Sequence, residues 1–272
     1  MSAPARVQNP TSPVVAVVTG AARGVGRGIA LALGEIGATV YVADRETRAR
    51  RRSELPGTVE DTAEQVRSRG GQGVPVAVDV TDDAGVAALF ERVRTEHAGL
   101  DLLVANAFDG NALPFAGGPF WTLPWEHWHN MIDAGVRGHA LTAWHAAPLL
   151  IRRRGLAVLT GYTDGNDTGV LAGHLFYDLA MTGISRLAYG LAQDLRPHGV
   201  TALALAPGLT RTEAITAALG DALPPGSDSI EFPGRAVRAL LQDYDVARHA
   251  GRTLPVHDLA AEYGFTDDDG AA

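Results

Sequence analysis

The sequence contains no cysteine and no lysine. Without cysteine there can be no disulfide, no thiolate metal site and no cysteine nucleophile. Without lysine, all 23 basic residues are arginine, so no ammonium group is available to any site in the chain. Positive charge is also short overall: 31 acidic residues against 23 basic ones give a formal charge of −8. That argues against nucleic acid as a partner, because duplex binding needs a basic face. No apolar run reaches membrane-spanning length, so no membrane partner is expected. The N-terminal "MSAPARVQNPTSP" lacks the apolar core of a signal peptide, and a cytoplasmic location is the expectation. The nine histidines show no HExxH spacing, and no metal site is expected.

What is present suits one α/β domain. The chain has 272 residues, 46% of them hydrophobic and 20% charged, enough to bury a sizeable core. Short apolar segments read as strands at 14–19, 39–43, 74–78, 100–105, 156–160 and 201–206. They are apolar almost throughout, as strands buried on both faces of a parallel sheet must be. Helical stretches lie between them. Thr81 and two aspartates open one near 82–96 with a capping signature. "WEHWHNMIDAGVRGHALTAWHAAPLLIRRR" reads as one long helix and "FYDLAMTGISRLAYGLAQDLR" as another. Such alternation implies a doubly wound sheet with right-handed crossovers, with a core over about 13–265 and a flexible 1–12. Loops are expected at "TRARRRSELPG", "DGNALPFAGGPFWTLP" and "LGDALPPGSDSIEFPG", each after a strand's C-terminus, where open α/β sheets bind ligands.

"VVTGAARGVGRGIA" follows the first strand and opens a helix. Gly20, Gly24 and Gly26 permit a tight turn, so that backbone N–H groups around Arg23 and Val25 can approach a pyrophosphate at the helix N-terminus. A plain tight turn is the alternative. Asp44 ends the second strand 18 residues after Gly26, placed to accept from an adenosine ribose and to repel a 2′-phosphate. Arg23 and Arg45 argue the other way, since a guanidinium welcomes that phosphate. NAD is the expected cofactor, with NADP left open. Asp79 closes the third strand, where it could meet the adenine edge or cap the next helix.

In combination, "TGAARGVG", "VDVTD", "LVANA", the tyrosine-centred helix and "APGLTRT" resemble the short-chain dehydrogenase/reductase family over about residues 13–265. "TDG" after the fifth strand, "LFYDL" and "EYGFTDDDG" are similar to one subgroup of it. The resemblance implies a Rossmann-like single domain, NAD(P) binding, hydride transfer between nicotinamide and a carbonyl or alcohol, and a homodimer or homotetramer. It implies that Asn106 and Ala107 line the cofactor and support the sheet, that Val80 lies beside Asp79 at the adenine, and that Pro207, Gly208 and Thr212 meet the nicotinamide carboxamide. Tyr177 matches the catalytic tyrosine. The remaining catalytic types depart: the serine position falls on Asp164, with Thr163 beside it, the asparagine on Gly135 and the lysine on Met181, while Phe108 stands at the glycine of the family's "NNAG" turn. Thr163 is the simpler replacement for serine, since its hydroxyl can polarise a carbonyl. Asp164 could do so only if protonated. A turn at Asp164–Gly165 is the plainer reading.

Met181 removes the charge that lowers the tyrosine pKa in the family, and an unperturbed phenol titrates near 10. Arg186 is expected to point away, and His174 and His139 are candidates to share the neighbourhood of Tyr177. "PFWTLPWEHWH", with Phe115 before it and all four tryptophans between 121 and 144, reads either as an apolar substrate wall or as packing of a long loop. The run at 48–52 reads as a solvated face or an anion-steering patch. Three functions follow in order: an oxidoreductase of a small apolar substrate with an altered proton relay, a cofactor-binding protein without turnover, and a non-redox dehydratase, isomerase or cyclase.

Overall fold

The computed structural model describes residues 13–110, 113, 117–162 and 173–267. Seven parallel strands form one sheet in the order β3-β2-β1-β4-β5-β6-β7. They are β1 (Val15–Thr19), β2 (Thr39–Asp44), β3 (Gln72–Ala77), β4 (Leu102–Ala105), β5 (Leu156–Thr160), β6 (Thr201–Ala206) and β7 (Thr253–Pro255). The helices between them are α1 (Gly24–Gly34), α2 (Val59–Ser68), α3 (Asp83–His97), α4 (Gly138–Arg153), α5 (Leu175–Leu195), α6 (Glu213–Leu219), α7 (Phe232–Gln242) and α8 (Val256–Tyr263). The doubly wound α/β fold expected from the sequence is the fold observed. No described helix is long and apolar enough to cross a membrane.

Successive side chains of a strand face opposite sides, and the core divides accordingly. Val15, Val17, Leu103, Ala105 and Leu159 join α3, α4 and α5 on one face, and Met181 lies within that layer. Ala16, Val18, Leu102, Val104 and Leu203 join α1, α7 and α8 on the other. Strand order reverses between β1 and β4, so the loops leaving these two strands diverge and open a crevice at the C-terminal edge.

Four details differ from the sequence reading. β3 is an edge strand with alternating burial, not one buried on both faces, and it tolerates Pro75 for that reason. The long helix is divided: Trp128–Arg137 is π-helical, and only Gly138–Arg153 is α-helical. α3 begins one residue later, with Asp82 at a cap position that makes no side-chain cap bond. Thr81 instead donates its hydroxyl and its N–H to Asp79 Oδ1 at 2.7 and 3.0 Å. Finally, α6 and the three-residue β7 were not anticipated.

Asp101 fastens the start of the sheet. Its Oδ2 accepts from Val15 N–H at 2.9 Å and from the Arg153 guanidinium at 2.6 Å, joining β1, β4 and the end of α4. Asp101→Ala leaves the partly buried Val15 N–H without this acceptor, and urea denaturation should record a loss of about 1–3 kcal/mol. Arg153→Ala, which leaves that N–H paired, should cost less.

Candidate active site at the sheet edge

α1 opens with an N-cap, Arg23, that offers no side-chain hydrogen bond. The first helical bond to close is Arg27 N–H to Arg23 O, at 3.2 Å. The N–H groups of Gly24, Val25 and Gly26 precede it and have no acceptor within the helix. Two glycines shape this head. Gly24 sits at φ +57°, where a side chain is strained, and a Cβ on Gly26 would lie 2.3 Å from Gly20 O and 2.5 Å from Asn106 Nδ2.

Asn106 fixes the turn after β4. Its Nδ2 donates to Thr19 O at 3.0 Å and Gly20 O at 3.2 Å, and its Oδ1 accepts from the Thr160 hydroxyl at 3.1 Å. The N–H groups of Asn106 and Ala107 both donate to Thr19 Oγ1, at 3.0 and 3.2 Å. One side chain thus ties β1, β4 and β5 together at their C-terminal ends. From the far side, Thr212 approaches Gly24: its Cγ2 lies 3.3 Å from where a Gly24 Cβ would be. The Thr212 hydroxyl also caps α6, accepting from Ile215 N–H at 3.3 Å. Pro207 and Gly208, the latter at φ +80°, lead from β6 into this segment. The structure therefore brings the glycine turn, the Asn106–Ala107 turn and Thr212 into contact.

The residues expected near the adenosine half form a charged rim. Asp44 accepts from Ala22 N–H at 3.2 Å and from Glu46 N–H at 3.1 Å. Burial pushes its carboxyl pKa up, and the backbone donors and Arg23 pull against that rise. Arg23 pairs with Glu46 at 3.3 Å, and Arg45 pairs with Asp109 at 2.5 Å. Arg52 reaches Asp79 at 3.3 Å. Burial raises the Asp79 pKa, but the two Thr81 donors, Arg45 and Arg52 outweigh it and hold the carboxyl below its ordinary value. Val80 is buried beside it. Arg48 is engaged with Asp61 and Glu64, and Arg51 donates to Leu55 O. A cavity of about 430 Å³ opens beside Arg45 and Asp109, against Thr81, His129 and Arg137 of the π-helical stretch.

Tyr177 stands on the first turn of α5, half-buried. Phe108 meets its ring edge-on, with centroids 5.9 Å apart, and the ring of Tyr162 lies 6.2 Å away. Burial first, and Tyr162 second, push its pKa up to about 12. Met181 is 6% exposed and packs in the core. Phe108 explains the missing asparagine: a Cβ on Gly135 would lie 3.2 Å from Phe108 Cδ2. The aromatic ring at 108 occupies the space that a side chain at 135 would need. Positions 108 and 135 are thus sterically coupled.

His139 is completely buried, and its Nδ1 bonds to Gly135 O at 2.5 Å. Burial lowers its pKa, which suits a neutral ring that holds the π-helical carbonyl. It is a structural histidine, not a partner of Tyr177. His174 Nε2 lies 2.9 Å from where a Gly117 Cβ would be. Arg186 is exposed and stacks over Tyr189, pointing away as expected. Thr163, Asp164 and Phe115 lie outside the described residues.

The tryptophan-rich segment divides. Trp125 stacks on Trp128, with centroids 5.5 Å apart and planes 6° from parallel, and meets Phe176 edge-on at 5.9 Å. These three rings form an aromatic platform at the start of α5, and Phe176, one position before Tyr177, lies on a different face of that helix. Trp144 is 70% exposed and packs on His145 of α4, apart from the platform.

Sequence reasoning missed Tyr162, Phe176 and Glu213. Tyr162 carried one signal, its place just beyond the end of β5. Glu213 carried none, because its role depends on a contact with Gly24, 189 positions away.

The Phe108–Gly135 coupling is testable by a double-mutant cycle. Gly135→Asn should cost about 1–3 kcal/mol in chemical denaturation while Phe108 is present. The cost should fall clearly in a Phe108→Ala background, giving a coupling energy of about 0.5–3 kcal/mol.

Comparison with known proteins agrees with this geometry. A family model described as enoyl-(acyl carrier protein) reductase matches residues 20–230. Mouse dehydrogenase/reductase SDR family member 1 is 35% identical, over 96% of this chain and 85% of the mouse protein. A short-chain dehydrogenase from Mycobacterium thermoresistibile superposes with a TM-score of 0.81 at 26% identity, covering 94% of this chain and 89% of that one. A 7α-hydroxysteroid dehydrogenase solved with NADH and 7-oxo glycochenodeoxycholic acid shares the fold, with a TM-score of 0.74 at 20% identity over 89% of this chain and 92% of its own. The fold, the glycine turn at the strand reversal and these relatives together place the chain in the short-chain dehydrogenase/reductase family, as an oxidoreductase.

Proposed function

We propose that the protein is an NAD-dependent carbonyl reductase or alcohol dehydrogenase of a small, apolar substrate, with Tyr177 as its acid/base. One observation carries this reading. The three amides at the head of α1 that have no acceptor within the helix and the phenol of Tyr177 lie on the same sheet edge, linked through the Asn106–Ala107–Phe108 turn. The residues fit a nicotinamide dinucleotide. Glycines at 24 and 26 leave room for close backbone approach, and Gly24 N–H already holds an anionic oxygen, from the Glu213 carboxylate at 2.7 Å. A fold neighbour was solved with NADH.

Bound there, the nicotinamide would supply or accept the hydride. The chain's own part is position and proton. The Tyr177 O–H donates to the substrate oxygen in reduction, and its phenolate accepts the proton in oxidation. The Thr163 hydroxyl is the proposed donor that orients the substrate oxygen, with Asp164 in that role only if protonated. The rings of Phe108 and Tyr162 beside Tyr177 favour an apolar or aromatic substrate by offering apolar surface.

The charged rim favours NAD over NADP. Arg23 and Arg45, the guanidiniums suited to a 2′-phosphate, are each already paired with a carboxylate, and Asp44 and Asp79 add negative charge. Fluorescence titration should give a Kd for NADH at least about tenfold below that for NADPH, a difference of about 1.4 kcal/mol. Glu46→Gln, which frees Arg23, should narrow the gap. Equal affinities would sink the NAD assignment.

The proton chemistry predicts an asymmetric pH profile. A phenol with a pKa of about 12 stays protonated through neutral and alkaline pH, so carbonyl reduction should not decline between about pH 7 and 10 on its account. Alcohol oxidation needs the phenolate, and its rate should climb about tenfold per pH unit over the same range. Met181→Lys supplies the missing cation, lowers the phenol pKa and should raise oxidative turnover at pH 7 by at least about tenfold. No gain from Met181→Lys, or tight NADH binding with no turnover of any carbonyl, would favour a cofactor-binding protein without catalysis.

A further inference from the structure

Gly24 N–H, the first unpaired amide of α1, is held by the Glu213 carboxylate. Glu213 Oε2 accepts from it at 2.7 Å, and Oε1 accepts from the Arg27 guanidinium at 2.9 Å. Arg27 is itself steadied from behind, its Nε donating to Gln65 Oε1 at 3.3 Å. The two sides of this contact are 189 positions apart in the chain, the turn after β1 and the start of α6. The carboxylate of Glu213 takes the place at the helix head where an anionic ligand gains most from unpaired N–H groups and the helix dipole.

The element carrying Glu213 is built to move. None of the residues of α6, Glu213–Leu219, is buried. No apolar face of α6 binds it to the core. Its segment is fastened instead at its base, where β-type bonds join the two flanks: Asp228 N–H to Leu209 O at 2.9 Å and Arg211 N–H to Asp228 O at 2.8 Å. Above that base, the described polar bonds from α6 to the head of α1 are those of Glu213. An element with few buried contacts opens at low free-energy cost, so a single charged latch can set its position.

We infer that Glu213 is a built-in competitor for the pyrophosphate site, a carboxylate latch that closes α6 over the head of α1 and must be displaced before a dinucleotide can bind. The inference rests on the cofactor reading above and extends it. A pyrophosphate and the carboxylate cannot share the Gly24 amide, and two anions at one helix head repel each other. Binding therefore selects the unlatched form. The measured affinity is reduced by the fraction of molecules unlatched, and removing the carboxylate abolishes that reduction.

The test uses the full chain with NADH as the probe, by calorimetry for affinity and stopped-flow fluorescence for rate. Glu213→Ala and the isosteric Glu213→Gln should each bind NADH about tenfold tighter than the unaltered protein, or better. The observed association rate of the unaltered protein should level off as NADH rises, because unlatching becomes limiting, and should stay linear in Glu213→Ala. Hydrogen exchange without ligand should be faster over residues 213–219 in Glu213→Ala. Equal affinities with linear rates in all three proteins overturn the latch and leave the cofactor reading intact. Weaker binding by both variants overturns it too, making Glu213 a supporting residue of the site. No NADH binding by any of the three defeats the cofactor reading, and the latch with it.

Discussion

Three amide N–H groups at the start of α1 have no partner within their helix, and the strand reversal between β1 and β4 points them into an open crevice. The rest of the sheet edge is arranged around that fact. Asn106 draws the β4 turn against the glycine turn and spans three strands in doing so. Thr212 closes from the side of β6, and Glu213 satisfies the first amide with a carboxylate. An unpaired donor in a partly buried place is costly, so the head of α1 is held either by the chain's own anion or by one that arrives from solution. The fold thus sets up a choice between two occupants of similar chemistry.

Around Tyr177 the logic is reversed, for the described ring neighbours are aromatic. Gly135 has no side chain, Phe108 fills the resulting space, and Met181 is buried in the adjoining layer. Each of these keeps the local polarity low, and together they hold the phenol in its neutral form, with Tyr162 adding to the effect. The π-helical stretch belongs to the same region. Its Gly135 carbonyl is taken up by the buried His139. A neutral phenol in apolar surroundings is a proton donor. It is a poor proton acceptor until something positive comes near.

The sheet was legible in the sequence because strands buried on both faces must be apolar, and five of the six segments, all but β3, are such strands. β7 escaped because three residues carry no periodicity. The π-helical stretch escaped because its apolar residues keep a spacing close to that of an α-helix, and only the backbone bonds distinguish the two. The glycine turn was legible for a steric reason: backbone approaches of 2.3–2.7 Å to a hypothetical Cβ admit no other residue at 20 or 26. Phe108 and Gly135 were each visible as departures, but their contact exists only in space. The charge of Arg23 and Arg45 was legible, but their partners Glu46 and Asp109 could not be paired from sequence.

The absence of lysine bears on both halves of the site. A guanidinium stays charged at any pH the protein meets and works through a planar fork that demands oxygen partners. Arg23, Arg27 and Arg45 have such partners in Glu46, Glu213 and Asp109, so the fixed positive charge at the sheet edge is largely neutralised. A buried lysine could have shed its proton to suit an apolar pocket beside Tyr177, whereas an arginine could not. The position at 181 therefore had two physical solutions in this chain, an arginine carrying its own carboxylate or an uncharged side chain. The methionine is the second. With it, under the function proposed above, a positively charged ligand in the crevice would supply the charge that ionises the tyrosine.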